Sequence, residues 1–305
     1  MGKVAFVFPG QGAQYAGMGK ELVDHSPAAS AVFQHLDALR PGTSQQCFEG
    51  PEALLQQTEV TQPCLFAAEV AAAAALEEAG IRADMTAGFS LGEWSAVFYA
   101  HIVDLSTSFD LVCSRGRLMQ HAAEQVETSM AAVVRLDNET VEGLCAQFEG
   151  VYPVNYNCPG QVTVAARRDQ MAPFSAAVKA AGGRALPLKV SGGFHSPFMA
   201  VAAGQFRQCL ESVSFSDPVI PLYSDVTGLP YAGSFHTLLA DQICSPVRWE
   251  AIVRHMITQG ADTFIEVGPG KVLSGLIEKT DKTVRTLQVS DKETLEQTIQ
   301  EVKAC

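Results

Sequence analysis

Met85-Thr86-Ala87-Gly88-Phe89-Ser90-Leu91-Gly92-Glu93 is the stretch on which the fold turns. Met85–Phe89 is a short apolar run with the length of a buried strand, and residues 91–100 carry a helical pattern. Between them, Gly88-Phe89-Ser90-Leu91-Gly92 is a G-x-S-x-G sequence, the form of a nucleophile elbow where it joins a strand to a helix. The glycines permit a tight, strained turn that lifts a serine hydroxyl into a cleft. The same residues also suit a glycine-bracketed turn with a helix-capping serine.

The flanking chain continues the alternation. Val4–Phe8 reads as a short buried strand, 63–79 as an alanine-rich helix ending before Gly80, 107–124 as a helix, and Phe264–Val267 as a late strand before Gly268-Pro269-Gly270. Short apolar strands between helices predict a parallel sheet covered on both faces. The middle has another rhythm. Met130–Arg135, Tyr152–Tyr156, Val162–Ala165 and Arg184–Val190 read as strands, and Asn138–Phe148 and Asp169–Ala181 as helices. The order β-α-β-β-α-β is the split βαβ, ferredoxin-like plan. The expected division is therefore a large domain of residues 1–128 and 192–305, with a small domain of 129–191 inserted into it.

Composition excludes several function classes. The 305 residues are 47% hydrophobic and 18% charged, which is ordinary globular composition. Length alone allows one large domain or about two. The net charge of −12 argues against nucleic acid and anionic membranes, whose phosphates require clustered Lys and Arg. The apolar run at the start ends at Pro9, too short for a signal-peptide core, and the alanine-rich stretch Leu65–Leu76 is too short to span a bilayer. Eight scattered cysteines without a C-x-x-C pair fit reduced thiols in the cytoplasm, and the seven histidines form no ligand cluster, so no metal site is expected.

A serine nucleophile needs a base. His195 has the most suggestive setting, in the glycine-rich loop Ser191-Gly192-Gly193-Phe194-His195-Ser196-Pro197, whereas His25, His35 and His121 read as surface residues. It also needs donors for an oxyanion. The glycines around Gln11 in Pro9-Gly10-Gln11-Gly12 free its N–H to face a ligand, and the N–H of Leu91 follows the nucleophile; an ordinary tight turn after the first strand is the competing reading. Arg115 has Leu111, Val112, Leu118 and Met119 as helical neighbours, so it faces the core, while Arg117 faces water. A buried guanidinium must have a partner. Its planar fork suits a carboxylate, either a structural Asp or Glu or the free carboxylate of a substrate.

Taken together, these segments resemble a known family. Phe8–Gln14, Gly88–Glu93, Arg115-Gly116 with Leu118-Met119-Gln120, Asn155–Gln161, Phe194-His195-Ser196, Ser245–Trp249 and Glu266–Lys271 occur in the order found in malonyl-CoA:acyl carrier protein transacylases, and the likeness covers nearly the whole chain. The resemblance implies an α/β-hydrolase-like large domain with a ferredoxin-like insertion. It implies a ping-pong reaction in which Ser90 takes the malonyl group from coenzyme A, His195 is the base, the N–H groups of Gln11 and Leu91 hold the oxyanion and Arg115 pairs with the malonyl carboxylate. Acyl carrier protein would be the acceptor. It further implies a cytoplasmic, free-standing monomer with malonyl-CoA as substrate and no tightly bound cofactor. In this family a backbone carbonyl orients the histidine, and the matching segment Ser245–Trp249 points to Arg248. Leu91 and Phe194 resemble malonyl-selective members. Phe89 departs from the family, which usually has His before the serine, and removes any polar role there. Lys189, Arg184, Lys271 and Arg285 are candidate cations for a carrier-docking patch on this acidic chain. The rival readings are an acyl-thioester hydrolase on the same elbow, a transferase of another acyl group, and a non-catalytic docking module.

Overall fold

The computed structural model describes residues 2–190 and 192–303. The chain is a mixed α/β protein with one parallel and one antiparallel sheet. The parallel sheet has the order β2-β1-β7-β8, built from β1 (Lys3–Phe8), β2 (Met85–Gly88), β7 (Ala261–Val267) and β8 (Arg285–Val289). The other four strands, β3 (Thr128–Val134), β4 (Val151–Cys158), β5 (Gln161–Arg167) and β6 (Arg184–Pro187), form an antiparallel sheet of order β4-β5-β3-β6.

The unbroken apolar run of β1 follows from its position. Val4, Phe6 and Phe8 pack into the core under the helix Thr58–Glu78, while Ala5 and Val7 pack on the opposite face with Met85, Ala87, Phe264 and Trp249. A strand with helices on both faces has no solvent side, so its pattern does not alternate. Thr58–Glu78 is buried along almost its whole length, and its alanines let neighbouring elements approach closely. It starts at Thr58, five residues before the proline where the sequence reading placed its start. The Thr58 N–H is capped from afar by Gln120 Oε1 at 2.9 Å, and Pro63 is accommodated inside the helix. The helix Leu105–Gln125 is capped locally, with Asp104 Oδ1 accepting from the Thr107 N–H at 3.0 Å.

The antiparallel sheet uses its two faces differently. On one face the helices Asn138–Cys145 and Arg168–Ala180 cover a small core of Val133, Val141, Val162, Val164, Phe174 and Val178. On the other face Met130, Val154 and Ala165 join the main core. β4 is also tied to the main body through the Val247 N–H to the Val154 carbonyl at 2.9 Å and the Tyr156 N–H to the Val247 carbonyl at 2.8 Å. The last strand stops at Pro187, three residues short of the sequence reading, and the next residues turn away to line a groove. The border between 191 and 192 falls at Ser191, outside the described residues. Among the described residues no helix is long and apolar enough to cross a membrane.

Candidate active site

The elbow follows β2 directly. β2 ends at Gly88 and a helix runs from Gly92 to Tyr99, so Ser90 is left at the top of the turn with φ of 57°. A non-glycine residue at positive φ is strained and needs support from its surroundings. Here both backbone groups of Ser90 are clamped. Its N–H donates to Asp225 Oδ2 at 2.7 Å, and its carbonyl accepts from Gln242 Nε2 at 2.6 Å. Gly92 is required for packing, since a Cβ there would lie 2.1 Å from the Phe8 carbonyl oxygen.

The structure brings His195 to this serine, with Nε2 2.8 Å from Ser90 Oγ. The other ring nitrogen, Nδ1, lies 2.9 Å from the Gln242 carbonyl oxygen, so Nδ1 carries the proton and Nε2 is left as the acceptor. His195 also has a positive φ, 60°, and is buried. Burial, and then the Arg115 charge, lower its pKa to about 4, against the opposing pull of the Gln242 and Ser245 carbonyls. The imidazole is therefore neutral at pH 7, the state a general base requires.

Arg115 comes in from the helix Leu105–Gln125 and is wholly buried. Nη1 donates to Gln62 Oε1 at 2.9 Å; Nη2 donates to Gln242 Oε1 at 2.7 Å and to Ser90 Oγ at 3.1 Å. The choice left open by sequence thus narrows: uncharged carboxamides hold the guanidinium, and among the described residues no carboxylate touches it. Nε has no partner among the described residues. Burial lowers the pKa to about 10 while the fields of Glu93 and Asp225 oppose that, so the group is cationic at neutral pH.

Ser90, His195, Gln11 and Leu91 line one cavity of about 90 Å³, with Gln62, Met119, Asn155 and Phe194 among its other walls. No acceptor among the described residues takes the N–H of Gln11 or of Leu91. Phe89 closes the cavity on the side of Trp249, its ring centroid 5.7 Å from that indole. Gln11, Leu188 and Val190 continue into a groove of about 610 Å³ that also carries Lys189. Of the cations singled out for docking, Lys189 alone borders this groove; Arg184 sits on β6, Lys271 before the helix Val272–Thr280 and Arg285 on β8.

Comparison with known proteins gives the family. A family model described as acyl transferase domain matches residues 5–304. The malonyl CoA-acyl carrier protein transacylase of Bacillus subtilis is 39% identical over 99% of this chain and 98% of its own length. The chain belongs to the malonyl CoA-acyl carrier protein transacylase family. The protein of that name from Escherichia coli is 37% identical over 95% of this chain and 96% of its own length. The crystal structure of the Clostridium perfringens transacylase superposes with a TM-score of 0.96 at 34% identity, covering 99% of this chain and 98% of that one. A malonyl-transacylase solved in complex with its holo type II PKS acyl-carrier protein reaches 0.94 at 34% identity, covering 98% and 99%. The protein is an acyltransferase.

One assignment within the acyltransferase site is corrected by the geometry. The carbonyl against His195 belongs to Gln242, not to Arg248. Arg248 is turned outward, its Nε donating to the Val226 carbonyl at 3.0 Å and its N–H to the Asp225 carbonyl at 2.9 Å. The motif Ser245–Trp249 pairs with β4 and brings the Ser245 carbonyl near His195, while the carbonyl hydrogen-bonded to Nδ1 comes from the short 3₁₀ turn just before it. Sequence reading also missed Gln62, Gln242 and Asp225. The available signal was a polar residue in an otherwise apolar setting: Gln62 stands in a buried helix, and Gln242 precedes buried Ile243.

Proposed function

We propose that this enzyme transfers a malonyl group from malonyl-CoA to the phosphopantetheine thiol of acyl carrier protein through an acyl-enzyme on Ser90. The observation that carries the proposal is Arg115: a buried cation, aimed at the nucleophile by Gln62 and Gln242, with no carboxylate among the described residues in contact. Such a site attracts an acyl group that brings its own carboxylate.

In the proposed mechanism, Ser90 Oγ attacks the thioester carbonyl while His195 Nε2 takes its proton. The N–H groups of Gln11 and Leu91 receive the oxyanion. The tetrahedral intermediate collapses, the C–S bond breaks, and the proton passes from His195 to the departing coenzyme A sulfur. The carrier thiol then attacks the ester while His195 takes its proton; the C–O bond to Ser90 breaks, and the proton passes from His195 to Ser90 Oγ. The Gln242 carbonyl holds the imidazole in the required tautomer, and Arg115 keeps the carboxylate away from the reacting carbon. A thioester is exchanged for an ester and back, so neither half-reaction requires an external energy source or a bound cofactor. The groove bearing Lys189 adjoins the cavity and is the proposed approach for the phosphopantetheine arm.

The antiparallel sheet order and the β-α-β-β-α-β succession support a ferredoxin-like domain at about 129–191, inserted into an α/β-hydrolase-like domain of 1–128 and 192–305. A cytoplasmic monomer is the working form we assign. Intact mass after brief mixing with malonyl-CoA tests the reading. A malonyl adduct should form, be absent in Ser90→Ala, and move to added holo carrier protein. Decay of the adduct at one rate with and without carrier would make the protein a hydrolase and refute transfer.

A further inference from the structure

Beneath the elbow lie two carboxylates to which the transfer chemistry assigns no task. Glu93, in the first turn of the helix after Ser90, and Asp225, in the loop after Leu222–Tyr223, are both fully buried. They meet at one donor. Gln242 Nε2 is 2.5 Å from Glu93 Oε2, 3.2 Å from Asp225 Oδ2 and 2.6 Å from the Ser90 carbonyl oxygen. A carboxamide nitrogen carries two hydrogens, so these acceptors outnumber what it can give. Glu93 Oε1 is better supplied, by the Tyr231 hydroxyl at 2.7 Å and the Asp225 N–H at 3.2 Å. Asp225 Oδ2 takes the Ser90 N–H, but Asp225 Oδ1 is buried with no partner among the described residues. The guanidinium of Arg115 donates to Gln62, Gln242 and Ser90 and to neither acid. Two ionised carboxylates in one dry pocket, short of donors and without a contacting cation, are unfavourable; a proton on the pair relieves both the repulsion and the donor shortage.

We propose that Glu93 and Asp225 are positioning residues that share one exchangeable proton under Ser90, and that the pair takes up further proton from solvent when the acyl carboxylate settles against Arg115. This rests on the malonyl-transfer reading above. The step is balanced: a carboxylate and a solvent proton give a carboxylic acid, and no other bond changes. The ionisable side chains facing the pair are Arg115, Tyr231 and, across Ser90, His195. His195 is neutral at pH 7 and Tyr231 is held protonated by burial and by Glu93, so the pair is the group able to respond near neutrality. Burial pushes Glu93 up to about 7, against Tyr231, the Asp225 N–H, Gln242 and Arg115; burial and then Glu93 push Asp225 well above the usual carboxylate range. In the free enzyme Arg115 partly offsets the remaining negative charge. A malonyl carboxylate on Arg115 cancels that help and adds repulsion, which favours the protonated acid.

The magnitude follows from the midpoint. A group half protonated near pH 7 becomes about nine-tenths protonated if its midpoint rises by about one unit, an uptake of about 0.4 proton per acyl-enzyme. Acyl exchange itself is proton-neutral at this pH, because the serine proton leaves on the coenzyme A thiol. The experiment mixes the whole enzyme with malonyl-CoA at pH 7 in weak buffer containing a pH-indicator dye, with intact mass read on the same samples. Glu93→Gln is run beside wild type, its fold checked by circular dichroism. The expected result is uptake of about 0.4 proton per malonyl adduct in wild type and near zero per adduct in Glu93→Gln, whatever the rate at which the variant acylates. Adduct without uptake in wild type overturns the pair and leaves the transfer reading intact. Equal uptake in wild type and folded Glu93→Gln overturns it too. No adduct in wild type overturns the transfer reading and this one with it. Should Glu93→Gln fail to fold, the wild-type uptake decides alone.

Discussion

Replacing Arg115 by Ala should convert a malonyl-preferring enzyme into one indifferent to the acyl carboxylate. The structure sets the size of the effect. The guanidinium is buried, its Nη1 and Nη2 are held by Gln62 and Gln242, and Nη2 reaches Ser90 Oγ at 3.1 Å, so an acyl carboxylate there would find two aligned N–H donors at the nucleophile. Hydrogen bonds to charged groups contribute about 1.5–3 kcal/mol each. Losing two costs malonyl transfer about 3–6 kcal/mol, or about two to four orders of magnitude in kcat/KM. Acetyl-CoA has no carboxylate to lose. The Ser90–His195 contact at 2.8 Å is direct and remains, so the acetyl rate, which loses only the Arg115 donor to Ser90 Oγ at 3.1 Å, should fall by much less than the malonyl rate. Stability will fall as well, because the Gln62 and Gln242 carboxamide oxygens each lose a donor at about 1–3 kcal/mol. The assay is therefore kcat/KM per folded enzyme for malonyl-CoA and acetyl-CoA in parallel, with the folded fraction from a thermal melt. Equal losses for both substrates would refute the reasoning, because Arg115 would then support the serine and not the substrate.

Three further outcomes follow from the same geometry. With His195 lowered to about 4, kcat/KM should stay flat from neutral pH down to about pH 5 and fall only toward pH 4; a limb at the ordinary histidine value near 6.5 would show that the ring is not desolvated as described. The same depressed pKa makes the His195 contribution to stability complete above the unfolded value and lost as pH drops through about 4. Gly92→Ala should lower Tm by several degrees or abolish folding, since the new Cβ would sit 2.1 Å from the Phe8 carbonyl oxygen, backbone that cannot swing aside; an unchanged melt would contradict the tight elbow.

Much of this was legible because it is local. Strand periodicity, glycine bracketing and the apolar helix face around Arg115 all act within a few residues, so the elbow, the buried arginine and the β-α-β-β-α-β succession can be read along the chain. Element ends were less legible, for a physical reason. The start of the helix at Thr58 depends on a cap from Gln120, and β6 stops at a proline, after which the chain is drawn into a groove wall.

Sequence by itself determined which chemistries the chain can host: a serine with glycine on both sides, a loop histidine, and a cation on a core-facing helix stripe. Tertiary structure alone decided which groups serve them. Gln242 is the clearest instance. One residue in a short turn gives its carbonyl to His195, its carboxamide oxygen to Arg115 and its carboxamide nitrogen to Ser90, Glu93 and Asp225. None of these partners is within ten residues of it along the chain. No periodicity or spacing encodes such a contact, because hydrogen-bond partners are chosen by distance and direction in the packed interior. The Arg248 assignment failed for that reason: it sought a carbonyl by position in a motif, and the Arg248 carbonyl is taken by the Ile252 N–H at 3.0 Å in the first turn of a helix.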